Sequence, residues 1–165
     1  VYETPVGFNH IAKHMLQEDI LIGGEESGGI SFRGHIPEGD GVLIALLLVE
    51  LVARSGQTLF ELVTELLERV GPAYYHRTDQ RIRYPINKQD MVEKLMDDVP
   101  AFIGGQEVAK ADATDGVKYV LVDDSWLLIR PSGTEPVLRV YAEGRSEEMV
   151  EALLHYGEKV ADSLI

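Results

Sequence analysis

Residues 117–142 read VKYVLVDDSWLLIRPSGTEPVLRVYA. Three short runs rich in β-branched and aromatic residues stand out, Val117 to Val122, Trp126 to Ile129 and Val137 to Ala142, and each predicts a strand. Asp123-Asp124-Ser125 has the residues of a tight turn between the first two. Arg130-Pro131-Ser132-Gly133-Thr134-Glu135-Pro136 separates the second from the third. Working outward, Tyr74 to Tyr84 reads as a polar strand. Asn87 to Asp98 reads as a helix carrying Met91, Val92, Leu95 and Met96, and Ser146 caps a last amphipathic helix to Leu164. The order β-α-β-β-β-α describes a small α+β domain with helices on one face of a mainly antiparallel sheet.

Gly71-Pro72 divides the chain into residues 1–72 and 73–165. The first part reads as an α/β remnant of helix, strand, helix and helix. Thr4-Pro5 is the expected start of the first helix, as N-cap and first helical residue. Ile20 to Ile22 is expected to be a buried strand, followed by a loop from Gly24 to Gly39. Asp40 should cap a helix over Gly41 to Arg54, apolar on nearly every side and expected to pack on more than one face. Thr58 and Glu61 form a capping box for the next helix, which Gly71 ends. One strand and three helices do not complete an α/β layer. The chain also begins at Val1, inside the motif-like stretch Glu3 to Phe8. Both features predict a piece of a longer protein.

The chain has 165 residues, 45% of them hydrophobic and 26% charged, as in an ordinary globular protein. Its formal net charge of -13 argues against nucleic-acid binding, which needs a basic stripe. A local cationic pocket for a small anion is still allowed. Without cysteine there can be no disulfide, thiolate nucleophile or thiolate metal site. No leader or span is legible, and a cytoplasmic protein is expected.

Arg130 to Pro136 carries the strongest chemical signal. Arg130 supplies a planar fork of donors suited to phosphate, while Ser132 and Thr134 supply hydroxyls. Gly133 lets backbone N–H groups approach an anion, and the two prolines stiffen the loop. Arg139 could add a second cation. A polar hairpin loop has the same composition, but the scarcity of cations tips the reading towards anion binding. Gly23 to Gly29 carries the second signal. There Glu25, Glu26 and Ser27 lie among glycines just after a strand, suited to hydrogen-bonding sugar hydroxyls or equally to a solvated turn. A metal role for Glu25 and Glu26 is weak. His10 and His14 have metal-pair spacing but lack the glutamate of an HExxH motif, so a solvated helix face is the better reading. Arg33 and His35 have no distinctive signal, and charge balance disfavours a nucleic-acid role for Tyr74 to Arg77.

Taken together, the two loops resemble those of the α-D-phosphohexomutase superfamily, the phosphoglucomutase/phosphomannomutase enzymes. Gly24-Glu25-Glu26-Ser27-Gly28-Gly29 resembles the sugar-binding loop of the third domain, and Arg130 to Pro136 the phosphate-binding loop of the fourth. Thr4-Pro5-Val6-Gly7, Phe32-Arg33-Gly34-His35 and Asp40-Gly41 also match. The resemblance implies part of an α/β/α third domain followed by a TATA-box-binding-protein-like fourth domain. It implies an isomerase-class intramolecular phosphotransferase that interconverts hexose 1-phosphate and hexose 6-phosphate. A phosphoserine and a hexose 1,6-bisphosphate intermediate would be used, with Mg²⁺ assisting. Glu25 and Ser27 would bind sugar hydroxyls. Arg130, Ser132, Gly133, Thr134 and Arg139 would hold the phosphate not being transferred, so that the two loops form one clamp.

The family's serine and metal loops have no counterpart in these residues, so no catalytic residue or Mg²⁺ ligand is expected here and the piece alone should be inactive. Its expected partners are a phosphorylated hexose and upstream domains, without nucleic acid or membrane. Asn9 stands where the family often has lysine. Glu25-Glu26-Ser27 is nearer the glucose-type members than the glucosamine type, and glucose against mannose is left open. A stand-alone phosphosugar-binding module and an interaction domain with vestigial loops are the alternatives.

Overall fold

The structure is a computed structural model describing residues 1–82, 86–133 and 135–164. It divides into two compact units, Val1–Leu66 and Leu67–Ile165.

In the first unit, α1 (Phe8–Gln17) is followed by β1 (Ile22–Gly24) and β2 (Ile30–Phe32), then by α2 (Gly41–Ser55) and α3 (Leu59–Val70), whose last residues enter the second unit. The first helix does not start at Thr4-Pro5. It starts at Phe8 with Gly7 as N-cap at φ 125°, a conformation a β-carbon would strain. The expected strand at Ile20–Ile22 lies two residues later, and the expected loop from Gly24 to Gly39 contains β2. β1 and β2 pair antiparallel, Gly23 opposite Ser31. Ile11 and Met15 of α1 pack onto Gly23 so closely that a β-carbon there would sit 2.4 Å from the Ile11 methyl.

The strand was expected to be buried, yet Leu21 and Ile22 are exposed. Asp40 caps α2 as expected, accepting from the Val42 and Leu43 N–H groups. The helix was expected to pack on more than one face, but none of its residues is buried, and Val42 is 74% exposed. A two-stranded hairpin offers too little surface to cover it. The Thr58–Glu61 capping box forms, and Gly71 closes α3 with φ 90°.

The second unit contains β3 (Tyr74–Arg81), α4 (Lys88–Asp97), β4 (Phe102–Ile103), β5 (Gln106–Asp112), β6 (Val117–Leu121), β7 (Trp126–Pro131), β8 (Val137–Gly144) and α5 (Glu147–Leu164). Its strands follow the order β3-β8-β7-β6-β5-β4, all neighbours antiparallel. β4 and β5 were not expected. The rest of the α+β plan appears as read, except that Tyr84, the expected end of the first strand, lies outside the described residues.

Strand alternation sends Val117, Tyr119, Leu121, Leu127, Ile129, Leu138, Val140 and Ala142 into one core with Met91 and Leu95 of α4 and Val150, Leu153 and Ala161 of α5. Burying each of the larger aliphatic side chains contributes roughly 1.5–3 kcal/mol. Asn87 and Ser146 cap the two helices by accepting from backbone N–H groups of their first turns. Among the described residues no single helix is long and apolar enough to cross a membrane.

Candidate functional site

The same alternation that fills the core puts Arg130 of β7 and Arg139 of β8 on the opposite face of the sheet, and the register sets them directly across from each other. Two like charges in that position repel, so their neighbours decide whether they can stay. Arg130 is 13% exposed at its side chain. Its Nε lies 3.3 Å from Asp115 Oδ2, an ion pair not aligned as a hydrogen bond, and its Nη1 donates weakly to the Tyr141 hydroxyl at 3.4 Å. Arg139 donates to Glu135 Oε2 at 2.8 Å and approaches Asp79 at 3.9 Å. The Tyr141 hydroxyl is the leading influence that raises the Arg139 pKa further. Arg77 adds a third cation, 5.9 Å above the Tyr141 ring.

The loop between the two strands is closed by the Ser132 N–H donating to the Val137 carbonyl at 2.9 Å. The Ser132 hydroxyl accepts from the Glu135 N–H at 3.3 Å. Gly133 is exposed, and a β-carbon on it would meet open space, so its backbone is accessible to a ligand. Thr134 lies outside the described residues. Of the expected phosphate-binding residues, the structure therefore brings Arg130, Ser132, Gly133 and Arg139 together at the β7–β8 loop end of the sheet. Such a cluster of guanidinium, hydroxyl and open backbone can hold a doubly charged oxyanion through charge-assisted hydrogen bonds.

The Gly24–Gly29 segment is the hairpin turn joining β1 and β2. Its N–H and carbonyl groups close it, Glu25 N–H to Gly29 O at 2.9 Å and Gly28 N–H to Glu25 O at 3.0 Å, with Gly28 at φ 94°. Glu26 and Ser27 project at the exposed tip. Glu25 is half-buried, and its Oε1 accepts from the Gly7 N–H at 3.1 Å. That bond joins the Thr4–Gly7 stretch to the glycine-rich loop and sets the carboxylate at the start of α1, which carries Asn9.

Arg33 pairs with Asp19, His35 with Asp40, and His14 with Glu18, so these side chains have structural partners. Among the described residues no group of three His, Cys, Asp or Glu could hold a metal ion. A groove of about 610 Å³ runs along Val1–Val6 and Ile20–Glu26. Apolar Val6, Ile11, Ile20, Leu21 and Ile22 line it together with Glu3, Asp19, Glu25 and Glu26.

Two models of one family cover most of the chain. Phosphoglucomutase/phosphomannomutase, alpha/beta/alpha domain III, matches residues 1–70, and phosphoglucomutase/phosphomannomutase, C-terminal domain, matches residues 83–156. The chain belongs to the phosphoglucomutase/phosphomannomutase family. It is 34% identical to the phosphoglucomutase/phosphomannomutase of Thermococcus kodakarensis over 100% of its own length and 34% of that protein. It is 35% identical to the phosphoglucosamine mutase of Limosilactobacillus fermentum over 97% of itself and 30% of that protein. It thus spans about a third of the length of the curated family members it matches. A crystal structure from Thermus thermophilus, provisionally assigned as a phosphomannomutase, superposes with a TM-score of 0.71 at 35% identity, covering 96% of this chain and 30% of that one.

Asp115, Tyr141, Asp79 and Glu135 were not expected in the site. Tyr141 was detectable by parity, since it lies two residues beyond Arg139 on the same strand and so on the same face. Asp115 carries no such signal, because only the folded β5–β6 turn brings it to Arg130.

Proposed function

We propose that this chain is the substrate-binding C-terminal part of a phosphohexomutase that interconverts hexose 1-phosphate and hexose 6-phosphate. Arg130, Ser132, Gly133, Thr134 and Arg139 hold the phosphate that is not transferred, and Glu25 and Ser27 bind sugar hydroxyls. The boundary between the two domains falls at Gly71-Pro72. The observation that carries the reading is the pairing of Arg130 with Arg139 across β7 and β8, joined by a loop with an accessible glycine backbone. A pair of close arginines is costly to hold together, and an anion between them offsets that repulsion.

Chemistry is assigned to the rest of the whole protein. A phosphoserine there donates to the sugar, and the resulting bisphosphate returns its other phosphate. Mg²⁺, when bound there, offsets phosphoryl charge, and no residue of this chain is proposed to ligate it. This chain's groups position the substrate: energy gained at the distant phosphate fixes the reacting oxygen. The protein is placed in the cytoplasm, where its phosphosugar would be. Named relatives act on both neutral and amino sugars, as the words phosphoglucomutase/phosphomannomutase and phosphoglucosamine mutase state. The Glu25-Glu26-Ser27 sequence supports a neutral hexose.

Titration of the full chain with glucose 1-phosphate tests the assignment. Arg130→Ala removes a charge-assisted contact that contributes about 1.5–3 kcal/mol, so affinity should fall roughly ten- to hundred-fold. Unchanged affinity would refute the phosphate role. In a coupled assay the chain alone should show no turnover, and measurable turnover would refute the division of labour.

A further inference from the structure

We propose that Asp115 is a positioning residue for the phosphate site. It holds the Nε edge of Arg130 so that the Nη groups are presented to the anion. This rests on the phosphate role of Arg130 proposed above.

The β5–β6 turn brings Asp115 into place. Asp112 Oδ1 accepts the Thr114 N–H at 2.8 Å, a local turn that reverses the chain. Gly116, at φ 83°, then docks its backbone against β7. A β-carbon there would lie 2.3 Å from the Ile129 carbonyl oxygen and 3.0 Å from Arg130 Cα. That close approach delivers the Asp115 carboxylate to the Arg130 guanidinium, where Oδ2 lies 3.3 Å from Nε. The other carboxylate oxygen is gripped by Lys88 Nζ at the start of α4. Both ends of the Asp115–Arg130 pair are largely shielded, at 12% and 13% side-chain exposure. Three elements, α4, the β5–β6 turn and β7, thus converge on the Asp115 carboxylate.

An alternative is an ordinary salt bridge that touches binding only through the local field. The two differ in sign. By field alone, removing a carboxylate beside an anion site makes the site more positive and tightens phosphate binding. By positioning, removing it lets the guanidinium swing and weakens binding, because the ordering must then be supplied at the moment of binding.

The experiment is a titration of the full chain with glucose 1-phosphate and with inorganic phosphate, at fixed ionic strength, for Asp115→Asn, Arg130→Ala and the double variant. Asp115→Asn should weaken binding up to about ten-fold, the upper end of what ordering one rotamer-rich side chain on binding costs. In the Arg130→Ala background it should cause no loss. Asp115→Glu keeps the charge and should restore most of the affinity, and fluorescence of Trp126 checks that each variant is folded. The Arg130 Nε–H resonance, assigned by its disappearance in Arg130→Ala, should move in Asp115→Asn. Equal or tighter binding by Asp115→Asn, an equal loss in both backgrounds, an unmoved resonance, or Asp115→Glu as weak as Asp115→Asn would each overturn the proposal. A different signature, Arg130→Ala without effect on affinity, overturns the phosphate assignment beneath it.

Discussion

Gly157 lies in the middle of α5, where helix propensity and packing make opposite predictions for Gly157→Ala. Propensity alone favours alanine by about 1 kcal/mol. The helix, however, faces the sheet along Val150, Leu153, Leu154, Gly157 and Ala161. A β-carbon at residue 157 would lie 2.4 Å from Val140 Cγ1 and 3.1 Å from Leu127 Cδ1. Ordinary carbon contacts need about 3.5–4.0 Å, so the overlap exceeds roughly 1 Å. Val140 is fully buried and β-branched, so it has little freedom to turn away. Overpacking of this kind costs about 1–3 kcal/mol, and a stiff partner places it near the top of that range. Packing should win, leaving a net loss of about 2 kcal/mol.

Urea unfolding followed by Trp126 fluorescence measures that loss. Trp126 is the chain's single tryptophan and lies on β7, so it reports the second unit. With a slope of about 1–3 kcal/mol per molar, the midpoint should fall by roughly 1 M. Val140→Ala removes the clashing methyl, so the double variant should be more stable than the sum of the two single losses. A Gly157→Ala protein more stable by about 1 kcal/mol would show that propensity decides and that the helix does not sit this close to the sheet.

Tyr119 donates its hydroxyl to the Leu95 carbonyl at 3.1 Å, and burial pushes its pKa up. Tyr119→Phe leaves that carbonyl unpaired and should cost about 1–2 kcal/mol in the same unfolding assay, with no dependence on pH between neutrality and pH ~9. Asp40 has its pKa lowered, first by the Leu43 N–H and then by His35 and the Val42 N–H. A depressed folded pKa means that its capping contribution is complete above the unfolded value near pH ~3.9 and is lost as pH falls through the lower folded one. Helical circular dichroism should therefore drop in that acid window less for Asp40→Asn, whose cap does not titrate, and identical acid profiles would refute the cap's role.

Elements with a strong local signal were legible. Asp40, the Thr58–Glu61 pair, Asn87 and Ser146 mark helix starts by side-chain chemistry that acts within four residues, and strand alternation in residues 117–142 needs no long-range information. Thr4-Pro5 failed because its signal is equally that of an extended segment, while the Glu25 carboxylate on the Gly7 N–H favours a start at Phe8. β2 and β4, of three and two residues, are too short to show a period. β5 was missed for another reason: its run of Gln, Glu, Lys and Asp reads as polar loop, and pairing with β6 makes it a strand. In the candidate site the cations were visible by composition, but the acids that hold them come from Asp79, Asp115 and Glu135, and chain order does not link these to one guanidinium.

The site's position is a consequence of the core beneath it. Ile129 and Val140 are paired and fully buried, while Arg130 and Arg139, the next residues towards the β7–β8 loop, are paired on the other face. A slip of one residue in either strand would carry an arginine into the core and a valine or isoleucine out of it. The unpaired buried guanidinium would cost several kcal/mol, so the register that stabilises the domain also fixes the distance between the two cations. Asp79, Asp115, Glu135 and Tyr141 then restrict where each guanidinium can turn. Those three carboxylates weaken the positive field that an anion would meet, yet they remove most of the side-chain disorder that binding would otherwise have to remove. For a phosphate that must be held firmly while chemistry proceeds at the far end of the same sugar, a fixed geometry is worth more than the strongest available field.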